Sequence, residues 1–124
     1  MRIIISFASY QVEAEVFDTP TGRAIYEELP IRANTSTWGE EIYFGVDAQA
    51  QLEDGAQAEV SVGELAYWPK LPAFCIFFGP TPVSTGDRPV AASPVNVFGK
   101  LLNMEPGNLA RIPDGENVVV ERLG

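Results

Sequence analysis

The sequence predicts a mainly β protein, a small closed barrel of about eight strands with one short helix after the second strand. Three observations carry this expectation. Short apolar or alternating runs recur along the whole chain, bounded by Gly, Pro or Asp turns, with no long gap between them. The densest stretch, 63–82, holds two such runs. The segments at 65–68 (L-A-Y-W) and 74–78 (F-C-I-F-F) are stopped by Pro69 and by Gly79-Pro80, so they read as two strands joined by a short loop. Finally, 124 residues are enough for one real core, which makes 1–124 a single domain.

Taken in order, residues 2–7 place Ile3, Ile5 and Phe7 on one face. After a turn at Ala8-Ser9, residues 10–17 alternate with Val12, Ala14 and Val16 inward, completing an antiparallel hairpin. Asp18 or Thr19 caps a helix that admits Pro20 in its first turn, lines up Ile25 with Leu29, and ends before Pro30. Gly22 weakens that helix, so packing must hold it. Strands follow at 31–36 and 38–45. A polar segment at 47–56 turns at Asp54-Gly55, and a strand at 58–62 precedes the aromatic pair. Residues 81–93 lack periodicity and read as the longest and most mobile loop. A strand at 95–102 contains Gly99, residues 106–115 are irregular, and 116–123 form the last strand.

Composition narrows the function classes. A net charge of −9 with only Lys70 and Lys100 among lysines opposes nucleic-acid binding, which needs clustered cations. No apolar run reaches the ~20 residues that span a bilayer, and the N-terminus reads as a first strand, so no membrane partner and a cytoplasmic location are expected. Cys75 is the single cysteine, which rules out an internal disulfide and reads as a buried small hydrophobe. The absence of His removes the commonest general base, the Ser-His and Cys-His nucleophile arrangements and nearly all zinc sites. No metal or other cofactor is expected, and no P-loop, dinucleotide fingerprint, CxxC pair or G-x-S-x-G is present.

The motif order resembles the cyclophilins. Thr19-Pro20-Thr21 stands at the helix entry, followed by G-E-L-A-Y at 63–67, the aromatic strand at 74–78 and N-V-F-G-K at 96–100. The chain is more closely similar to a family of small prokaryotic cyclophilin-like proteins, a domain of unknown function. T-W-G-E-E-I-Y-F at 37–44, Gly63-Glu64, Tyr67-Trp68-Pro69, F-F-G-P-T-P at 77–82 and V-N-V-F-G-K at 95–100 follow its pattern in order. The resemblance implies the cyclophilin barrel.

Prolyl isomerisation in cyclophilins uses an apolar pocket and an arginine that donates to the prolyl nitrogen of the twisted amide. The matching F-H-R-I-I-P pattern is missing here. Arg32 and Glu40 are the remaining catalytic candidates, with Glu40 in place of a glutamine, Val95 in place of a histidine, and P-K-L-P at 69–72 in place of an asparagine-rich loop.

Trp38, Tyr67, Trp68 and Phe78, with Tyr43 and Phe74, are candidates for an aromatic ligand groove, although Phe74, Ile76 and Phe78 suit the core better, and Trp38 and Trp68 suit groove and core equally. Glu40, Glu41 and Glu64 are the candidate carboxylates; Glu40 and Glu41 are adjacent, so only one can face the aromatic cluster. Asn96, on an apolar strand, must be hydrogen-bonded if buried, either to a loop or to a ligand. Thr81 and Arg88 could gate the groove.

The leading expectation is a module that binds a peptide or small molecule without efficient isomerase activity. One alternative is a divergent peptidyl-prolyl isomerase using Arg32 or Arg88. Another is an enzyme of a different class using Glu40 or Glu64 with Tyr67. An exposed aromatic surface would equally serve a homodimer.

Overall fold

The structure is a computed structural model and describes residues 1–124. It contains β1 (Arg2–Ser6), β2 (Gln11–Val16), α1 (Pro20–Glu28), β3 (Ile31–Asn34), β4 (Ser36–Thr37), β5 (Glu41–Gly45), β6 (Gln57–Glu59), β7 (Glu64–Trp68), β8 (Ala73–Phe77), β9 (Val90–Leu102), α2 (Pro106–Leu109) and β10 (Asn117–Arg122). The expected β1–β2 hairpin is present, with Ile3 opposite Ala14 and Ile5 opposite Val12, all buried.

The barrel differs from expectation. Ten strands, not eight, form one open sheet in the order β3-β10-β1-β2-β9-β7-β8-β5-β4, with β6 on the side of β9. Its two end strands, β3 and β4, follow each other in the chain with only Thr35 between them. One runs into the next, so no ladder can form between them and the curl is joined covalently. Thr35 is buried, and its bonds go to the loop before β10. Its amide donates to the Glu116 carbonyl at 2.9 Å, its hydroxyl donates to the Pro113 carbonyl at 2.7 Å, and its own carbonyl accepts from Gly115 at 2.7 Å.

α1 is capped by Thr19, whose hydroxyl accepts from the Gly22 amide at 3.0 Å, and Pro20 opens its first turn. Nine residues are too few to be helical alone. Ile25 and Leu29 are buried against the sheet, each contributing roughly 1.5–3 kcal/mol by leaving water. β9 begins at Val90, not at 95, so the irregular loop is confined to the residues before it. Pro94 and Ser93 hide the strand in the sequence. Proline offers no ladder donor, and the β6 pairing shifts register beside it, between Val90 and Val95. The short helix α2 occupies part of the segment expected to be irregular.

The β5–β8–β7 wall is buried on both sides. One face (Ile42, Phe44, Leu65, Tyr67, Phe74, Ile76) joins the main core with Ile3, Ile5, Ile25 and Phe98. The other (Ala66, Ala73, Cys75, Phe77) packs with Val60, Ala91 and Val95 in a second, smaller cluster. No helix is long and apolar enough to cross a membrane.

Candidate functional site

The second cluster is incomplete, and a cavity opens on it. Its walls come from three places: the β4–β5 turn, the β5–β8–β7 wall, and the first half of β9. The cavity measures about 260 Å³ and is lined by Trp38, Glu41, Tyr43, Trp68, Cys75, Ala91, Ala92 and Val95. Strand alternation selects these residues. Glu41 and Tyr43 lie on one face of β5, opposite Phe77 and Cys75 of β8, while Ile42 and Phe44 face the core.

The turn that carries Trp38 is tightly built. Trp38 and Glu41 exchange backbone hydrogen bonds at 2.9 and 3.2 Å. Gly39 has φ +59°, and a Cβ there would sit 2.8 Å from the Thr81 Cα and from Pro82. Only glycine lets the turn lie flat on 81–82. Trp68 is held from the other side, its indole Nε1 donating to the Ser93 hydroxyl at 2.7 Å.

Glu41 is the polar anomaly. It is 6% exposed, and its carboxyl has no ion pair; its one partner in the chain is the neighbouring Cys75 thiol, a weak donor. No sealed oxygen is left without a partner, so a Glu41 oxygen that Cys75 does not hold reaches the cavity. Desolvation raises its pKa to about 7, and the neighbouring Cys75 thiol offsets this only in part. The same burial, together with the Glu41 charge, pushes the Cys75 thiol well above its ordinary range, which disfavours its thiolate.

The sequence-derived candidates separate into those the fold brings together and those it does not. Trp38, Trp68 and Tyr43 line the cavity. Tyr67, Phe74 and Phe78 lie in the main core. The Tyr67 hydroxyl donates to the Ala48 carbonyl at 2.8 Å and accepts from the Ala50 amide at 3.2 Å. Asn96 is buried and fixes a loop: its amide nitrogen donates to the Gln51 carbonyl and the Thr21 hydroxyl, and its oxygen accepts from the Glu53 amide.

Glu40 faces away from the cavity, its carboxyl lying over Gly79, where a Cβ would meet it at 2.6 Å. Glu64 accepts from the Ser61 amide at 2.7 Å. Arg32 is exposed on β3, paired with Val119 of β10, and does not line the cavity. Arg88 donates to the Val60 carbonyl and the Ser61 hydroxyl, and Thr81 is buried with its hydroxyl on the Val90 carbonyl, so both tie the loop to the sheet. Sequence reasoning took Glu40 of the adjacent pair as the ligand-binding carboxylate, whereas the structure turns Glu41 to the cavity. The phase of β5 was the available signal: Tyr43, the one amphipathic side chain of the strand, shares a face with Glu41 and not with Glu40.

The comparisons agree with this architecture. A family described as cyclophilin-like matches residues 1–121. The solution structure of a hypothetical protein from Archaeoglobus fulgidus is similar at 43% identity with a TM-score of 0.82, over 99% of this chain and 95% of that one. No curated protein matches. The segments 37–44 and 77–82 meet in space where β5 and β8 leave the sheet: Glu41 pairs with Phe77, and the Glu40 backbone bonds to Phe78 and Pro80. A family match over almost every residue, on a sheet with this order and these paired motifs, shows that the chain belongs to the cyclophilin-like family.

Proposed function

We propose that the protein is a binding module whose ligand, a small molecule or a single peptide side chain, enters the cavity between Trp38, Tyr43 and Trp68. One observation carries this reading: an apolar, aromatic cavity contains one buried carboxyl with no charged partner in the chain. Packing alone gives no reason to keep an ionisable group there. At about 260 Å³ the cavity is smaller than the ~300–1,000 Å³ of drug-sized sites, which favours a compact ligand.

Efficient prolyl isomerase activity is not part of this reading. No arginine lines the cavity, so the guanidinium that serves the prolyl nitrogen in cyclophilins has no counterpart there. A second reading, proton transfer by an enzyme, shifts from Glu40 or Glu64 to Glu41, because a carboxyl near 7 suits a general base. It lacks a group to orient that carboxyl, and binding is therefore preferred.

The chain's only two tryptophans line the cavity, so their emission reports its occupancy. Titration with apolar fragments, neutral and charged, is expected to shift that emission saturably. Ala92→Trp, at an exposed position on the cavity rim, is expected to abolish competition-detected binding while leaving the fold intact. The absence of saturable binding by any fragment overturns the reading, as does proline-peptide turnover well above the uncatalysed rate in a protease-coupled assay.

A further inference from the structure

We propose that the cavity recognises a small organic ammonium ion, with Glu41 as its counter-ion and Trp38, Tyr43 and Trp68 as its aromatic walls. This deepens the binding reading above and rests on it. Glu41 is more than nine-tenths buried, faces the cavity, and meets no arginine, lysine or chain terminus. The only other titratable groups lining the space are Tyr43 and Cys75, neither of which carries positive charge. The site is therefore short of a cation.

The walls point the same way. The faces of aromatic rings are negative and attract cations. Trp68 cannot turn its N–H to an anion, because that donor is already held by Ser93 at 2.7 Å. An anionic ligand would be repelled by the carboxylate and the ring faces, with only the Trp38 indole and the Tyr43 hydroxyl left as side-chain donors. A neutral apolar ligand would leave the carboxylate dry and unpaired. A hard metal ion needs about six oxygen ligands, whereas one carboxyl is offered here and no group of three acidic or thiol side chains exists. An ammonium on a short apolar body satisfies the carboxylate, the rings and the alanine and valine lining together.

The raised proton affinity of Glu41 supports the same conclusion. Below about pH 7 the carboxyl of the empty cavity keeps its proton, and binding of a cation favours loss of that proton to solvent. Amine binding should therefore strengthen as pH rises through 7, with proton release on binding near neutrality.

Benzylamine and benzyl alcohol, close in shape and different in charge, make the test. Tryptophan emission and calorimetry are read at about pH 5 and about pH 8.5, with wild type and Glu41→Gln. Benzylamine is expected to bind roughly tenfold or more tighter at the higher pH and to exceed benzyl alcohol there. Glu41→Gln is expected to lose that advantage while retaining benzyl alcohol binding, a check that the cavity survives. Equal binding of the two compounds by wild type, or undiminished amine binding by Glu41→Gln, overturns the ammonium inference and leaves the binding module standing. If neither compound binds wild type at either pH, the ammonium inference falls and the binding reading loses its support with it.

Discussion

Tyr67 and Asn96 stand directly opposite each other across β7 and β9, and both commit their polar groups to the same loop. Tyr67 holds Ala48 and Ala50, while Asn96 holds Gln51 and Glu53. The Glu28 carboxylate adds the Asp47 and Ala48 amides from α1, and Glu53 returns to the Thr21 amide and hydroxyl. A segment without regular structure is thereby stitched to the helix and two strands.

Asn96→Ala removes three hydrogen bonds and leaves the Glu53 amide and Gln51 carbonyl without their partner. The expected loss is about 2–4 kcal/mol in urea unfolding, with faster amide exchange at Glu53. Fragment binding in the cavity should persist, because Asn96 does not line it. A loss below about 0.5 kcal/mol, the scale of an ordinary surface substitution, would contradict the role assigned to the network.

The Glu41 carboxyl makes stability depend on pH in a direction opposite to a salt-bridged acid. Its folded pKa of about 7 lies above its ordinary 4.5, so between these values the folded protein keeps a proton that the unfolded chain releases. Stability contributed below 4.5 is lost as pH rises through 7, by on the order of 3 kcal/mol. Glu15 acts the other way, its pKa lowered by a hydrogen bond from the N-terminal ammonium and then by Arg2. The difference between wild type and Glu41→Gln isolates the buried group. Glu41→Gln is expected to gain on wild type as pH rises, and parallel stability curves for the two proteins would rule this out.

Cys75 should resist alkylation. Burial and the adjacent Glu41 carboxyl both disfavour its thiolate, so iodoacetamide is expected to label the native protein far more slowly than the urea-unfolded chain. A bound cavity ligand should slow labelling further, since the thiol lines the same space. Comparable native and unfolded labelling rates would remove both statements.

Gly22→Ala inverts the usual helix rule. In an exposed helix this change stabilises by up to about 1 kcal/mol. Here the added Cβ would lie 2.0 Å from the Phe17 carbonyl oxygen, so either the helix or the strand exit must move. The expected result is a net loss of roughly 1–3 kcal/mol by thermal or urea unfolding. A stabilised variant would show that α1 approaches the β2 exit less closely than the structure has it.

The sequence made the local elements readable wherever a breaker stood beside an alternating run. Pro30 ended the helix, Pro69 and Gly79 framed β7 and β8, and Val12, Ala14 and Val16 fixed the inward face of β2. It concealed the first part of β9, residues 90–94, because Pro94 interrupts the strand where the β6 pairing shifts register. The openness of the sheet was also hidden. Strand count does not reveal that the first and last strands of the curl are consecutive in the chain. At the site, Trp38 and Trp68 were legible as aromatics beside Gly39 and Pro69. Tyr67 and Asn96 looked equally suitable, and only the phase of the strands separates them from the cavity. Ala91, Ala92 and Val95 carry no chemical signal at all, since they line the space by being small.

Strand β9 brings the two halves of the molecule within one peptide unit of each other. Val95 forms part of the cavity wall and Asn96, the next residue, anchors the stitched segment on the far side of the sheet. A sheet is a single backbone thick, so an occupant that displaces Val95 also displaces the anchor. The 47–53 segment is then a mechanical indicator of the cavity's state, readable from outside without touching the ligand, and amide exchange there should register ligand binding even though no residue of the segment can reach it.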